Sequence, residues 1–255
     1  DVSVIDELPP GRRPIETRHY TQDATEEVYS FLRSQVELGR QAYVVYPMIE
    51  ESETRSIKAA EKMHTHLSTV VFPDLAVGLL HGRLPAAEKE GVMQDFKEGR
   101  IDILVATSVV EVGVDVPNAA VMAIEHAENF GLAQLHQLRG RVGRGPEQSY
   151  CLLVTAELTE AAQERIQTML ETTDGFRIAE VDLKLRGPGE FFGTRQSGLP
   201  TFRVANLLRD REVLEVARNE ATACVENPSS PEELRKLVAY IRESWQRRYG
   251  LVQVG

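Results

Sequence analysis

The chain has 255 residues, of which 42% are hydrophobic, so it can bury a core and general disorder is excluded. No apolar run approaches the ~20 residues of a membrane-spanning helix, and the start lacks a secretory signal pattern. The net charge of −10, taken alone, argues against a nucleic-acid-binding protein, although arginines cluster locally. Cys151 and Cys224 lack metal-ligand spacing, so we expect buried thiols, a cytoplasmic protein and no metal site.

The first 25 residues predict an extended linker. Pro9, Pro10 and Pro14 disfavour helix there, and the opening reads as sequence from within a longer protein. Thr25 is a candidate N-cap for a helix over residues 26–38, and Gly39 is placed to end it.

Five short apolar runs then alternate with helical patterns. The predicted strands are 42–46, 75–80, 101–106, 119–124 and 150–154, and the intervening helices are 54–70, Pro85 to Gly99, and 130–138. Continuous apolar strands separated by helices indicate a parallel sheet that is covered on both faces. We therefore predict a doubly wound α/β domain over residues 26–156. Its ligands should bind beyond the carboxyl ends of the strands, in the loops after Tyr46, Leu80, Ala106 and Ile124.

The pattern changes after this domain, where the sequence predicts a mostly helical tail. Residues 158–172 and 176–185 predict two helices that join at a turn. The following segment, RGPGEFFGTRQSGLP, predicts an irregular loop because it holds four glycines and two prolines. We divide the tail into a helical hairpin with its loop, 157–200, and a helical segment, 201–255, that breaks at 227–231.

Arginine and glycine alternate in QLHQLRGRVGRG, residues 134–145, which carries the most informative pattern. Arg141 and Arg144 offer forked, permanently charged contacts suited to phosphate oxygens, and the glycines let the backbone approach a ligand closely. Arginines beside a γ-phosphate stabilise the charge that develops in phosphoryl transfer, so we assign Arg141 and Arg144 a catalytic role. Gln137 lies one turn earlier and is a candidate nucleotide contact.

A second polar segment, ATSVVEVGVDVPN at 106–118, directly follows a predicted strand. The hydroxyls of Thr107 and Ser108 can contact phosphates of a nucleic-acid backbone. Gly113 allows close approach, and Asp115 can accept hydrogen bonds from a ribose or orient an arginine, so both are candidate nucleotide contacts. His81 and Gly82 follow the preceding strand and are further candidates for nucleic-acid contact.

Together these strings resemble the superfamily-two helicases, with motif VI at 134–145 and motif V at 106–118. HGRLPAAEKEGVMQDFKEG and DGFRIAEVDLKLRGPGEFFGTRQSGLPTFRVANLLRD narrow the resemblance to the RecG-type DNA helicases over essentially the whole chain. The resemblance implies a RecA-like fold for the α/β domain. It also implies a motor lobe that works on stalled forks and Holliday junctions in recombination and repair.

The resemblance further implies that the tail is a translocation motif, which couples ATP-driven lobe movement to pulling of duplex DNA. In that family an arginine in the hairpin and a glutamine in the loop are important. They correspond here to Arg165 and Gln196, and Arg195 beside the glutamine supplies a charge that can meet a DNA phosphate.

The chain contains no G-x-x-x-x-G-K-[ST] phosphate loop, so we expect that it cannot hydrolyse ATP alone. The resemblance implies that ATP and Mg²⁺ are bound mainly by a preceding RecA-like lobe. The implied partners are branched double-stranded DNA, the wedge domain and first lobe of the same protein, and single-stranded DNA-binding protein. The implied location is the bacterial cytoplasm, at the nucleoid.

Two alternatives stay open at this point. One is the transcription-repair coupling factor, a translocase that shares the tail motif, although the TRQSG wording favours RecG. The other is a non-enzymatic RecA-like lobe that serves as a DNA-binding or partner-binding module.

Overall fold

The computed structural model describes residues 13–48, 53–107, 115–191, 210–226 and 230–249. The chain divides into two compact units, Asp1–Asp182 and Leu183–Gly255. This division does not coincide with the boundary expected after residue 156, because the first tail helix packs against the α/β domain.

A six-stranded parallel sheet forms the centre of the first unit, with strand order β1-β6-β5-β2-β4-β3. Its strands are β1 (Glu16–Thr21), β2 (Gln41–Tyr46), β3 (Val77–Leu80), β4 (Ile103–Thr107), β5 (Ala119–Ile124) and β6 (Tyr150–Thr155). Every residue of β2, β4 and β5 is buried, as expected for central strands that are covered on both faces.

Helices cover both faces of this sheet. In the described ranges the α-helices are α1 (Thr25–Glu37), α2 (Glu53–His66, continued by a π-helical turn at Leu67–Val71), α3 (Ala86–Lys97), α4 (Leu132–Arg139), α5 (Glu160–Glu171), α6 (Gly175–Phe191), α7 (Arg211–Glu226) and α8 (Pro231–Tyr249). Leu32 of α1 and Leu67 after α2 join Val44 and Val105 in one core. On the other face, the ring of Phe96 in α3 lies 4.8 Å from that of Tyr43. The predicted RecA-like α/β fold with a helical tail is confirmed.

Three local predictions were wrong. Residues Glu16–Thr21 belong to the sheet as edge strand β1, rather than to a linker, and they pair in register with β6. Thr25 is the first residue of α1, not its N-cap, because its hydroxyl donates back to the Gln22 carbonyl. Helix α6 runs on to Phe191 where a loop was expected after residue 185, because extending a helix that has already formed on buried Ile178 and Val181 costs less than starting one.

The two cysteines differ in burial and form no disulfide. Cys151 in β6 is buried, as predicted, and burial raises the pKa of its thiol to about 12. Cys224 is only partly buried on α7, so the expectation of a second buried thiol was wrong.

The second unit contains α7 and α8. Pro231 begins α8 as its first residue, which suits a proline because the first helical N–H needs no partner within the helix. Most of the predicted break at 227–231 lies outside the described residues. In the part of the chain that the structure describes, no helix has the length and apolar character needed to cross a bilayer.

Candidate functional site

The arginine segment lies between α4 and β6. Arg144 Nη1 is 3.3 Å from Asp115 Oδ1, so the structure brings together two of the predicted nucleotide-site residues. The Arg144 side chain is 26% exposed and that of Asp115 is 58% exposed. An ion pair this open is weak in water, so its arginine can exchange the carboxylate for a phosphate at small cost.

Arg141 belongs to the same charged group. The charges of Arg141, Arg144 and Asp115 all act on the hydroxyl of Tyr43. Burial is the main cause that raises the pKa of Tyr43 to about 12; the two guanidiniums act to lower this pKa, and the carboxylate acts to raise it. Three charges thus gather around one buried ring at the base of the arginine segment. Gln137 is exposed on the preceding helix α4.

Glycines at 143 and 145 are required by close backbone packing. Gly143 has φ +78°, and a Cβ there would lie 2.9 Å from the Ile15 side chain. A Cβ on Gly145 would lie 2.5 Å from the carbonyl oxygen of Pro117. Because that oxygen belongs to the backbone, the chain would have to shift to make room. Close packing therefore holds the arginines beside the segment that carries Asp115.

The arginine segment does not lie at the carboxyl ends of the strands, where the sequence predicted that ligands bind. Its glycines lie against Ile15 and Pro117, which immediately precede β1 and β5, and the segment itself leads into β6. The arginine segment therefore lies at the edge where the strands begin, opposite the carboxyl ends. The reason is that α4 follows β5 and returns the chain across the sheet before β6 starts.

The candidate nucleic-acid residues that the structure describes do lie at the carboxyl ends. Thr107 is the last residue of β4, and its fully buried Oγ1 lacks a hydrogen-bond partner among the described residues. His81 follows β3 and is also buried, with Nε2 3.8 Å from Glu61 Oε1 and no described partner for Nδ1. The Gly82 carbonyl accepts a hydrogen bond from Lys89 Nζ. Ser108 and Gly113 lie outside the described residues.

Arg139, which the sequence did not single out, ties the arginine segment to α5. Its side chain is 2% exposed, and Nη1 donates to the carbonyls of Met169 and Thr172, both at 2.9 Å. A cation at the last carbonyls of a helix is favourable because the helix dipole is negative there. Burial lowers the pKa of Arg139, and its Nη2 has no partner among the described residues. In the sequence it looked like one more basic residue of the motif.

Arg165, in the middle of α5, connects this helix to the segment after β5. Its Nη2 donates to the Glu128 carbonyl at 2.8 Å, and its Nε is buried without a partner among the described residues. The Glu128 carboxylate in turn accepts from the Ala156 N–H and lies 3.3 Å from His126 Nδ1. The predicted coupling residue is therefore built into the domain, whereas Arg195 and Gln196 lie outside the described residues.

Comparisons with known proteins identify the family to which the chain is similar. A model of the helicase conserved C-terminal domain matches residues 23–146, and a model of the C-terminal part of RecG domain 3 matches residues 172–245. The chain is 54% identical over 236 residues to the ATP-dependent DNA helicase RecG of Thermotoga maritima, covering 92% of this chain and 30% of that protein. It is 56% identical over 230 residues to RecG of Synechocystis, covering 90% and 28%.

A solved structure of RecG bound to a three-way DNA junction matches with a TM-score of 0.65 and 52% identity, covering 82% of this chain and 27% of that one. The chain thus spans about 30% of the length of these two curated relatives. One family model covers the chain from α1 to the arginine segment, the other covers most of the tail, and relatives above 50% identity are RecG proteins. The chain therefore belongs to the RecG family of ATP-dependent DNA helicases.

Proposed function

We propose that this chain is the second motor lobe of an ATP-dependent double-stranded DNA translocase that acts on stalled forks and Holliday junctions in recombination and repair. The observation that carries the proposal is the Arg144–Asp115 pair beside Arg141. Family membership supports the substrate, because a RecG protein has been solved with a three-way DNA junction.

The residues of the arginine segment fit the phosphate end of ATP. Two guanidiniums meet around Tyr43, and one of them is held by an open, exchangeable ion pair. ATP, when bound, supplies the γ-phosphoryl group whose transfer to water drives movement. Arg141 and Arg144 would donate to the phosphate oxygens and stabilise the charge that builds up on them, while Asp115 holds Arg144 in place beforehand.

The remaining parts of the machine belong to the same proposal. Mg²⁺ and the phosphate loop would be held by the first RecA-like lobe of the protein, with the wedge domain contacting the DNA branch. His81, Gly82 and Thr107 would face DNA at the carboxyl edge, and Ser108 would contact it as well. Arg165, Arg195 and Gln196 would transmit movement to the duplex, at the bacterial nucleoid. A contact with single-stranded DNA-binding protein stays a prediction.

The test is DNA-stimulated ATP hydrolysis by the full-length protein with Arg144→Ala. An arginine that stabilises phosphoryl transfer contributes about 10³-fold or more, so we expect turnover to fall by roughly that factor while junction binding persists. The matched control is Arg33→Ala. Arg33 lies on α1 and is also ion-paired, with Asp74, but it lies outside the arginine segment. Equal turnover in the Arg144→Ala variant and the unaltered protein would refute the proposal.

A further inference from the structure

A cavity of about 560 Å³ opens between α1, α2 and the ends of β2 and β5, away from the arginine segment. Tyr29 and Met63 supply apolar surface from the two helices, and Lys62 lies at the same opening. Two polar side chains also line the cavity: Tyr46 is the last residue of β2, and Glu125 directly follows β5. The volume suits a small molecule or a single nucleotide.

The cavity lies at the point where the strand order of the sheet reverses. β2 and β5 are neighbours, but the chain leaves β2 toward β3 at one edge and leaves β5 toward β6 on the other side. The connections therefore depart in opposite directions and leave a crevice between them. Open α/β sheets bind ligands in such crevices, beyond the carboxyl ends of the strands.

Two buried polar groups of this cavity are poorly satisfied in the described part of the chain. Tyr46 and Glu125 are each 6% exposed, and Glu125 Oε1 has no hydrogen-bond partner among the described residues. The Tyr46 hydroxyl lies near that of Tyr29 but does not form a well-aligned hydrogen bond with a described residue. A buried polar atom without a partner costs about 1–3 kcal/mol, so such atoms point to a missing ligand group. Burial raises the pKa of both side chains.

The backbone at the mouth is also unusual. His126 has φ +51°, the one positive φ of a non-glycine residue in the described ranges. Its ring lies 3.2 Å from Gln22 Nε2, which also lines the cavity. Uncommon backbone conformations of this kind cluster at binding sites, because the surrounding structure must hold them.

We propose that the cavity binds one unpaired nucleobase that carries an exocyclic amino group. The amino group donates to the carboxyl of Glu125, the planar ring packs against the tyrosine and methionine side chains, and Lys62 meets the 5′-phosphate. That the base comes from DNA rests on the proposed function, since His81 and Thr107 lie along the same edge. Binding of the isolated nucleotide does not depend on that function.

The test is calorimetric titration of the full chain with four probes: dAMP, dCMP, dTMP and 2-deoxyribose 5-phosphate. We expect dAMP and dCMP to bind about tenfold more tightly than dTMP, which has no exocyclic amino group, and the sugar phosphate to bind more weakly still. Equal affinity for all four probes would show binding by phosphate alone and would overturn the proposal, as would no binding of any probe.

Four variants locate the site. Glu125→Met should abolish the preference over dTMP, and Glu125→Gln, which keeps an acceptor oxygen, should retain most of it. Ala59→Phe fills the rim from an exposed position on α2 and should weaken dAMP binding, whereas Ala87→Phe on exposed α3 should not.

Arg144→Ala should leave the preference for dAMP over dTMP unchanged, because that preference depends on Glu125, and it separates the two proposals. Loss of the preference in that variant, or a preference that resists Ala59→Phe, would assign the nucleotide to the arginine segment and overturn the cavity proposal. Failure of the cavity proposal would leave the ATPase test of Arg144 untouched, because the latter is measured on turnover of the full-length protein.

Discussion

At the scale of single residues, Arg144 and Asp115 form a pair that is held in place without being strongly bound. The separation of 3.3 Å and the 58% exposure of the aspartate mean that water competes for both charges. A phosphate with more negative charge would displace the carboxylate. The pair therefore positions Arg144 for a ligand and adds little to the stability of the fold.

Gly145 sets that position, and its replacement should be costly. Gly145→Ala places a Cβ 2.5 Å from the Pro117 carbonyl oxygen, so the backbone must shift, and we expect a loss of about 1–3 kcal/mol in the free energy of unfolding. Gly91→Ala is the control, since nothing lies within 4 Å of its added Cβ inside α3, and it should stabilise by about 0.5–1 kcal/mol. Urea unfolding measures both; equal effects would contradict the packing argument.

Glu125 should make stability depend on pH. Burial raises its pKa in the folded chain, so its protonated form favours folding. This contribution is fully present below the unfolded pKa and is lost as the pH rises through the folded pKa. The stability of the original chain relative to Glu125→Gln should therefore fall as pH rises from the pKa of the unfolded group to neutrality. Unfolding curves at several pH values measure it; a stability difference that grows with pH would show that the carboxyl is not held in its protonated form.

At the scale of elements, α5 is attached to the α/β domain through two arginines, the buried Arg139 and the half-buried Arg165. Arg139 reaches its final carbonyls from α4, and Arg165 reaches from α5 to the Glu128 carbonyl. α4 leads directly into the arginine segment. Movement of that segment on nucleotide binding would therefore carry α5 with it, which is what a coupling hairpin needs.

Arg139→Met should destabilise the chain by about 3 kcal/mol, because it strands the carbonyls of Met169 and Thr172 without their donor. Arg177→Met on α6 removes an exposed arginine that pairs with Glu180, and it should change stability by less than about 0.5 kcal/mol. Chemical denaturation compares the two. An Arg139 variant as stable as the Arg177 variant would show that the buried contacts are incidental.

The sequence predicted most elements but not all of their roles. Apolar runs such as 119–124 were recognisable because central parallel strands are buried on both faces, and β5 has those bounds. Strand β1 was missed because ETRHYT is polar, as edge strands often are. The motif named the candidate nucleotide residues, which stay a prediction, but it did not place them at one edge of the sheet. The reason is that a loop's sequence does not say to which edge the following helix returns the chain.

At the scale of the whole molecule, the net charge of −10 coexists with local positive sites. Arg141 and Arg144 lie at the edge where strands begin, and the candidate DNA residues lie at the opposite edge. The lobe would thus meet nucleotide at one edge and DNA at the other. With the two sites on opposite edges, a movement at the nucleotide site has to be transmitted through the domain to reach DNA. Helix α5, which Arg139 and Arg165 attach to the domain, could transmit it.

The 255-residue chain by itself should show no ATP turnover, with or without junction DNA, because it contains no phosphate loop to hold the β- and γ-phosphates. A coupled phosphate-release assay at high protein concentration measures this. Turnover that Arg144→Ala abolishes would mean that the chain carries a complete site, and it would contradict the division of the nucleotide site between two lobes.

The central claim is that Arg144 exchanges Asp115 for a phosphate. A structure of the full-length protein with a non-hydrolysable ATP analogue and junction DNA tests it directly. We predict the Arg144 guanidinium about 3 Å from a γ-phosphate oxygen, with Arg141 beside it and the contact to Asp115 lengthened. An Arg144 that still pairs with Asp115, while nucleotide occupies the cleft out of its reach, would contradict the claim.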